Sequence, residues 1–134
     1  MNKEIALKWY KQALHDLVIA ERNISIQGYD TASFLAQQSV EKLLKSIFAL
    51  EGNKIPKTHY IDELAKQLNL SDEIIDNVLD LTVDYTFARY PDVADLLPYE
   101  EYTEEIAQAK VARAKKIFEL LKDRYREIGE AADE

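Results

Sequence analysis

Arg89 is the residue best placed to do chemistry in this sequence. It stands in a run that leads from Tyr85 to Arg89-Tyr90-Pro91-Asp92. A guanidinium presents a planar fork of N–H donors that matches a phosphate. Tyr85, Tyr90 and Tyr99 offer ring faces for stacking on a base and hydroxyls for a phosphate. The competing reading is internal: Arg89 pairs with Asp92 or with an acid on a neighbouring helix, because an unpaired buried charge is costly. Tyrosines near bundle ends more often simply pack, with the hydroxyl at the surface. Asp92 reads first as a loop cap or as a group that orients Arg89.

A second set lies earlier in the chain. Gln38, Lys42 and Lys45 can form a small cationic patch on one helix. The ordinary reading of the same residues, with Glu41, is a solvated face. His59 follows Thr58 at a helix start, where a local hydrogen bond is the usual role and proton transfer the alternative. His15 falls among Lys8, Lys11 and Arg22 on a polar side.

Other chemistries lack their residues. The chain has no cysteine, which excludes a disulfide framework, a thiolate zinc site and a Cys nucleophile. Its two histidines are far apart and its carboxylates scattered, so no metal-ligand spacing exists. The three glycines are isolated, so there is no phosphate-binding glycine loop. No motif asks for a cofactor.

The elements that must position these residues are helices. Ala6, Tyr10, Ala13, Leu14, Leu17, Ala20 and Ile24 recur at helical steps over Lys3 to Ile24. Asp30 is the expected N-cap of a second helix, about Thr31 to Leu50. That helix carries a core stripe, Ala32, Ala36, Val40, Leu43 and Ile47. It carries another stripe, Phe34, Gln38, Glu41, Lys45 and Phe48, on roughly the opposite face. Two such faces imply two neighbours, either another helix or another subunit. Thr58 is the expected cap of a short third helix with Ile61, Leu64, Ala65 and Leu68. Ser71 opens a fourth, whose stripe runs Ile74, Val78, Leu81, Tyr85 and on to Arg89, so Arg89 should point inward or along a groove. Pro91 and Pro98 bracket a loop. A last helix runs from about Glu101 to Ile128, interrupted on its apolar arc by Arg113 and Arg124. No alternating strand pattern competes. The prediction is an all-α, up-and-down antiparallel bundle of four to five helices over residues 1–128, followed by an acidic tail, 129–134.

Composition agrees. The chain has 134 residues, one domain's worth, with 47% hydrophobic residues and only three glycines and three prolines. Its net charge of −8 counts against a broad nucleic-acid surface, but leaves room for a local cationic site or a basic partner. No apolar run reaches the roughly 18 residues a membrane span needs, and the charged start is unlike a signal peptide. The expected place is the cytoplasm, with no membrane contact.

Several blocks, in order, resemble the prokaryotic HEPN family. They are Asp16-Leu17-Val18-Ile19-Ala20, Gly28-Tyr29-Asp30-Thr31-Ala32-Ser33-Phe34, and Ala36-Gln37-Gln38-Ser39-Val40-Glu41-Lys42-Leu43-Leu44-Lys45. Thr58-His59, Ile61-Asp62-Glu63-Leu64 and Tyr85 with Arg89-Tyr90-Pro91-Asp92 follow. The resemblance covers nearly the whole chain. It implies a helix bundle that dimerises and a partner that is a minimal nucleotidyltransferase, often as toxin and antitoxin. It also implies either nucleotide or phosphate binding or metal-independent RNA cleavage. The ribonuclease members carry Arg, four to six residues, then His. Here Arg89 is followed by Tyr90 through Leu97 with no histidine. The expectation is therefore a binding and interaction module, a homodimer with ligand residues Arg89, Tyr85, Tyr90, Asp92, Lys42, Lys45, Gln38 and His59. The alternatives are a ribonuclease toxin acting through Arg89, and a structural helical dimer without a ligand.

Overall fold

Side-chain caps open three of the helices. In the computed structural model, which describes residues 2–132 (side chains to 130), the Asn2 side chain accepts from the Ile5 N–H and opens α1, Lys3–Ser25. Gln27 turns the chain with a left-handed φ of 65°, and Gly28 begins α2, Tyr29–Leu50. A Cβ on Gly28 would meet Asn23 Oδ1 at 2.9 Å, so a larger residue here would have to displace the Asn23 side chain. Asp30 is thus inside the first turn of α2, not its N-cap, where its charge still favours the helix dipole.

Thr58 also lies ahead of its helix. Its hydroxyl accepts from the Tyr60 N–H and donates to Glu63, and Tyr60 caps α3, Ile61–Gln67. Ser71 caps α4, Asp72–Thr82, as its sequence position predicts. α4 then stops before Tyr85. A turn at Val83 separates it from α5, Asp84–Phe87, in which Asp84 is buried. Arg89 follows α5 and is exposed, which corrects the inward-pointing continuation of the α4 stripe.

The expected last helix, about Glu101 to Ile128, is divided into two, and a short turn of helix precedes it. α6 is Pro98–Glu101; Tyr102 is extended; Thr103 accepts from the Ile106 N–H and opens α7, Glu104–Leu120. A turn over 121–125 follows, in which the Tyr125 hydroxyl folds back to donate to Phe118 O, before α8, Arg126–Ala132. Part of the expected acidic tail, Asp133 and Glu134, lies outside the described residues.

α1, α2, α4 and α7 form an up-and-down bundle. The Asn2 N–H bonds Ala49 O, which sets the start of α1 beside the end of α2. Lys110 and Arg113 of α7 reach Asp84, Asp80 and Asn77, which sets α7 antiparallel to α4. The core joins Ala6, Ala13 and Ala20 of α1 to Val40, Leu43, Leu44 and Ile47 of α2, with Leu64, Leu81 and Ile117. Alanines along α1 let its backbone approach α2 closely. α2 is the central helix: neighbours within the chain cover both of its stripes. Arg113 and Arg124 are absorbed by ion pairs, to Asp80 and Glu51. Among the described residues there is no strand and no helix long and apolar enough to cross a membrane.

Candidate functional site

The second stripe of α2 is a polar row on which the site is built. Glu41 is almost fully buried and accepts from three side chains. Lys45 Nζ lies 3.1 Å from its Oε2, Gln38 Nε2 3.2 Å from its Oε1, and His59 Nδ1 3.1 Å from its Oε2. Gln38 Nε2 also donates to Gln37 Oε1 at 2.8 Å, and Gln37 Nε2 donates to His59 O at 3.1 Å. A carboxylate only accepts, so this contact is satisfied by the tautomer of His59 that carries Nδ1–H.

The His59 ring stacks on Tyr85, with centroids 4.9 Å apart and planes 9° from parallel. Phe34 and Tyr60 pack on the same tyrosine at 6.2 and 6.4 Å. Arg89 completes the cluster. Its guanidinium carbon lies 4.5 Å from the Tyr85 ring centre, 4.8 Å from Tyr90 and 5.1 Å from Phe34, and the guanidinium donates to the Tyr90 hydroxyl. Cation–π attraction to three rings holds the fork without neutralising its charge.

Arg89 has no carboxylate partner among the described residues, so the internal salt bridge is not formed. Asp92 is exposed and pairs with no described residue; the Tyr90 hydroxyl, one residue away, takes its expected place as orienter. The cationic patch is also absent. Lys42 is bound to Asp16 of α1, whose other oxygen accepts from Gln12 at 2.9 Å. Lys45 is buried against Glu41 and lies 5.6 Å from the Trp9 ring centre. The solvated-face reading fails for the same reason: Glu41 and Lys45 are interior. His15 is exposed.

The structure therefore brings Arg89, Tyr85, Tyr90, His59, Gln38 and Lys45 into one connected cluster. It leaves Lys42 tied to α1 and Asp92 apart. It adds Glu41, Gln37 and Phe34. Phe34, Gln38, Glu41 and Lys45 share one helical stripe, which was a visible signal; the contact of Glu41 with His59 spans a loop and was not. The platform is open surface. Among the described residues no group of three or more His, Asp or Glu side chains could hold a metal.

The sequence matches the HEPN domain family over residues 6–124. This chain belongs to the HEPN family. A protein named "Putative toxin MJ1304", from Methanocaldococcus jannaschii, is 26% identical over 140 residues, covering 94% of this chain and 91% of that protein. TT1696 from Thermus thermophilus has the same fold, with a TM-score of 0.83 at 26% identity over 92% of this chain and 99% of that one. ST0689, an archaeal HEPN homologue, gives 0.73 at 33% identity over 92% and 98%. In this HEPN domain the Arg89 cluster sits where α2, the segment before α3 and α5 converge.

Proposed function

We propose that this HEPN domain is a nucleotide- or phosphate-binding module whose ligand lies on the Arg89 face. One observation carries the reading. In a chain of net charge −8, an exposed guanidinium lies within about 5 Å of three aromatic ring centres, with no carboxylate among the described residues to neutralise it. Its fork can take two phosphate oxygens, and the exposed Tyr90 ring can extend the stack under a base. The acidic remainder disfavours a long polynucleotide and favours a mononucleotide. Titration of adenosine monophosphate into the parent protein and Arg89→Ala, followed by tyrosine fluorescence, tests this; binding by the parent alone supports it.

The module acts as a cytoplasmic homodimer beside a minimal nucleotidyltransferase, as one half of a toxin–antitoxin-like pair. Family membership and the similarity to a protein named as a toxin support this. The exposed apolar residues Leu79, Val83, Phe87, Leu96 and Leu97 offer a surface for either partner.

A second reading is metal-independent RNA cleavage. The His59–Glu41 pair favours it, because a buried carboxylate on Nδ1 fixes the orientation of an imidazole beside Arg89. RNA incubated with chelator and the parent, Arg89→Ala or His59→Ala tests it. Cleavage lost in both variants would put this reading first; intact RNA throughout would remove it. A structural dimer without ligand is what remains if neither nucleotide nor RNA is engaged.

A further inference from the structure

One positive charge is too few for the ligand proposed on the Arg89 face. A phosphate monoester carries about −1.5 to −2 at neutral pH, and a guanidinium supplies a single positive charge. The nearby lysines do not make up the difference. Lys42 is paired with Asp16, and Lys45 with Glu41. His59 is the group on the same platform that can gain a charge near neutrality.

Its setting suits that role. The imidazole and the guanidinium share Tyr85: the imidazole centre lies 4.9 Å from the Tyr85 ring centre, and the guanidinium carbon of Arg89 lies 4.5 Å from it. Glu41 Oε2 holds Nδ1 at 3.1 Å. Nε2 has no hydrogen-bond partner among the described residues, and the side chain is 52% exposed. The charged and titratable groups around the ring are few. α2 supplies Glu41, with Lys45 on the same carboxylate oxygen. α5 supplies Tyr85, and Arg89 follows it. On the segment of His59 itself, Tyr60 packs on Tyr85, and Glu63 is held by the Thr58 hydroxyl. Glu41 is already matched by Lys45, so a positive imidazole is left to be balanced by what sits on Arg89. An anion there favours the doubly protonated ring by Coulomb attraction.

We infer that His59 is a second anion ligand of the Arg89 face, and that a phosphate monoester binds there together with one proton, which Nε2 takes from solvent. This rests on the nucleotide reading and adds the ionic form in which the ligand is held.

Adenosine monophosphate is the probe. At pH ~7.5 its phosphate is almost wholly a dianion, because the second ionisation falls near pH ~6. Cationic neighbours only favour that form, so a proton taken up on binding goes to the protein. Calorimetric titration of the full chain in HEPES and in Tris reads the uptake as a buffer-dependent heat. A net uptake is expected, with binding at least about threefold tighter at pH ~7 than at pH ~8.5. His59→Gln keeps an N–H for Glu41 but cannot titrate, and both effects should vanish in it. The imidazole proton signals of the parent chain give a second readout. Saturation with the nucleotide should move the titration of His59 to higher pH and leave that of the exposed His15 in place. Binding that depends on Arg89 but takes up no proton, or a His59 titration that ignores the nucleotide, would overturn this inference and leave the nucleotide reading standing. No binding at all would overturn both.

Discussion

The imidazole of His59 stacks on the phenol ring of Tyr85 while its Nδ1 meets the buried carboxylate of Glu41. This one relationship ties the middle of α2 to the segment before α3 and to α5. It fixes the tyrosine on which Arg89 rests. The Arg89 platform is thus anchored in the core, although its own surface is open.

Glu41 is the anchor, and its removal should be costly. Glu41→Ala leaves the Lys45 ammonium buried without a counterion, a change worth about 3–5 kcal/mol of stability. Replacing both partners, Glu41→Ala with Lys45→Met, should recover most of that loss, because no charge is then stranded. Urea unfolding of the two single variants and the double variant measures the coupling. Simple additivity would show that the pair is independent.

Asp84 gives a pH signature. Burial is the main cause that lifts its carboxyl above the ordinary 3.8, against hydrogen bonding from Tyr102 and the charge of Lys110. The folded chain then holds this proton more tightly than the unfolded chain. In the window above 3.8 the unfolded state carries fewer protons, so this group lowers stability as pH rises. Asp84→Asn should lose that fall. The readout is the urea midpoint across mildly acidic pH, parent against variant. A difference between them that stays constant with pH would contradict the sign.

Much of this was legible in the sequence. Ala6, Tyr10, Ala13 and Ala20 on α1, and Ala32, Ala36, Val40, Leu43 and Ile47 on α2, are buried at their helical steps. The two-faced α2 meant two neighbours, and the chain supplies both. Periodicity failed where a local side chain overrode it. The α4 pattern continued to Arg89, but the helix ends in a turn at Val83 and Arg89 lies beyond the short α5. The last helix was broken by a Thr103 cap at one end and by the Tyr125 hydroxyl at the other. The polar stripe of α2 was visible, but sequence spacing could not show that His59 covers Glu41. Lys42 and Lys45 looked solvated because lysines usually are; only the fold places Asp16 and Trp9 against them.

Tyr125 shares the alkaline limb with Tyr102, whose phenol burial raises still further. Burial pushes the Tyr125 phenol up to about 12, so the folded state keeps a proton that the unfolded chain releases near 10. Its contribution is complete below pH ~10 and is lost as pH rises towards about 12. Tyr125→Phe removes the hydrogen bond to Phe118 O and should cost about 1 kcal/mol at pH ~7. It should also flatten the loss of stability above pH ~10. An unchanged alkaline limb would show that another group controls it.

Two left-handed residues should respond differently to glycine. Gln27 has a φ of 65° and Asn69 a φ of 55°. Asparagine tolerates this region, whereas glutamine is strained there. Gln27→Gly should raise stability by about 0.5–1 kcal/mol, and Asn69→Gly should change it by less than about 0.5 kcal/mol. Thermal melts of the two variants check the contrast, and a loss on Gln27→Gly would refute it.

The most direct measurement is calorimetric titration of adenosine monophosphate, adenosine and inorganic phosphate into the parent protein and Arg89→Ala. The monophosphate is predicted to bind most tightly, because it uses both the fork and the rings. Adenosine and phosphate should each bind more weakly, and Arg89→Ala should lose at least tenfold for the monophosphate while folding normally. Equal affinity of parent and variant for the monophosphate, or no binding to the parent at millimolar concentration, would contradict a ligand site on the Arg89 face.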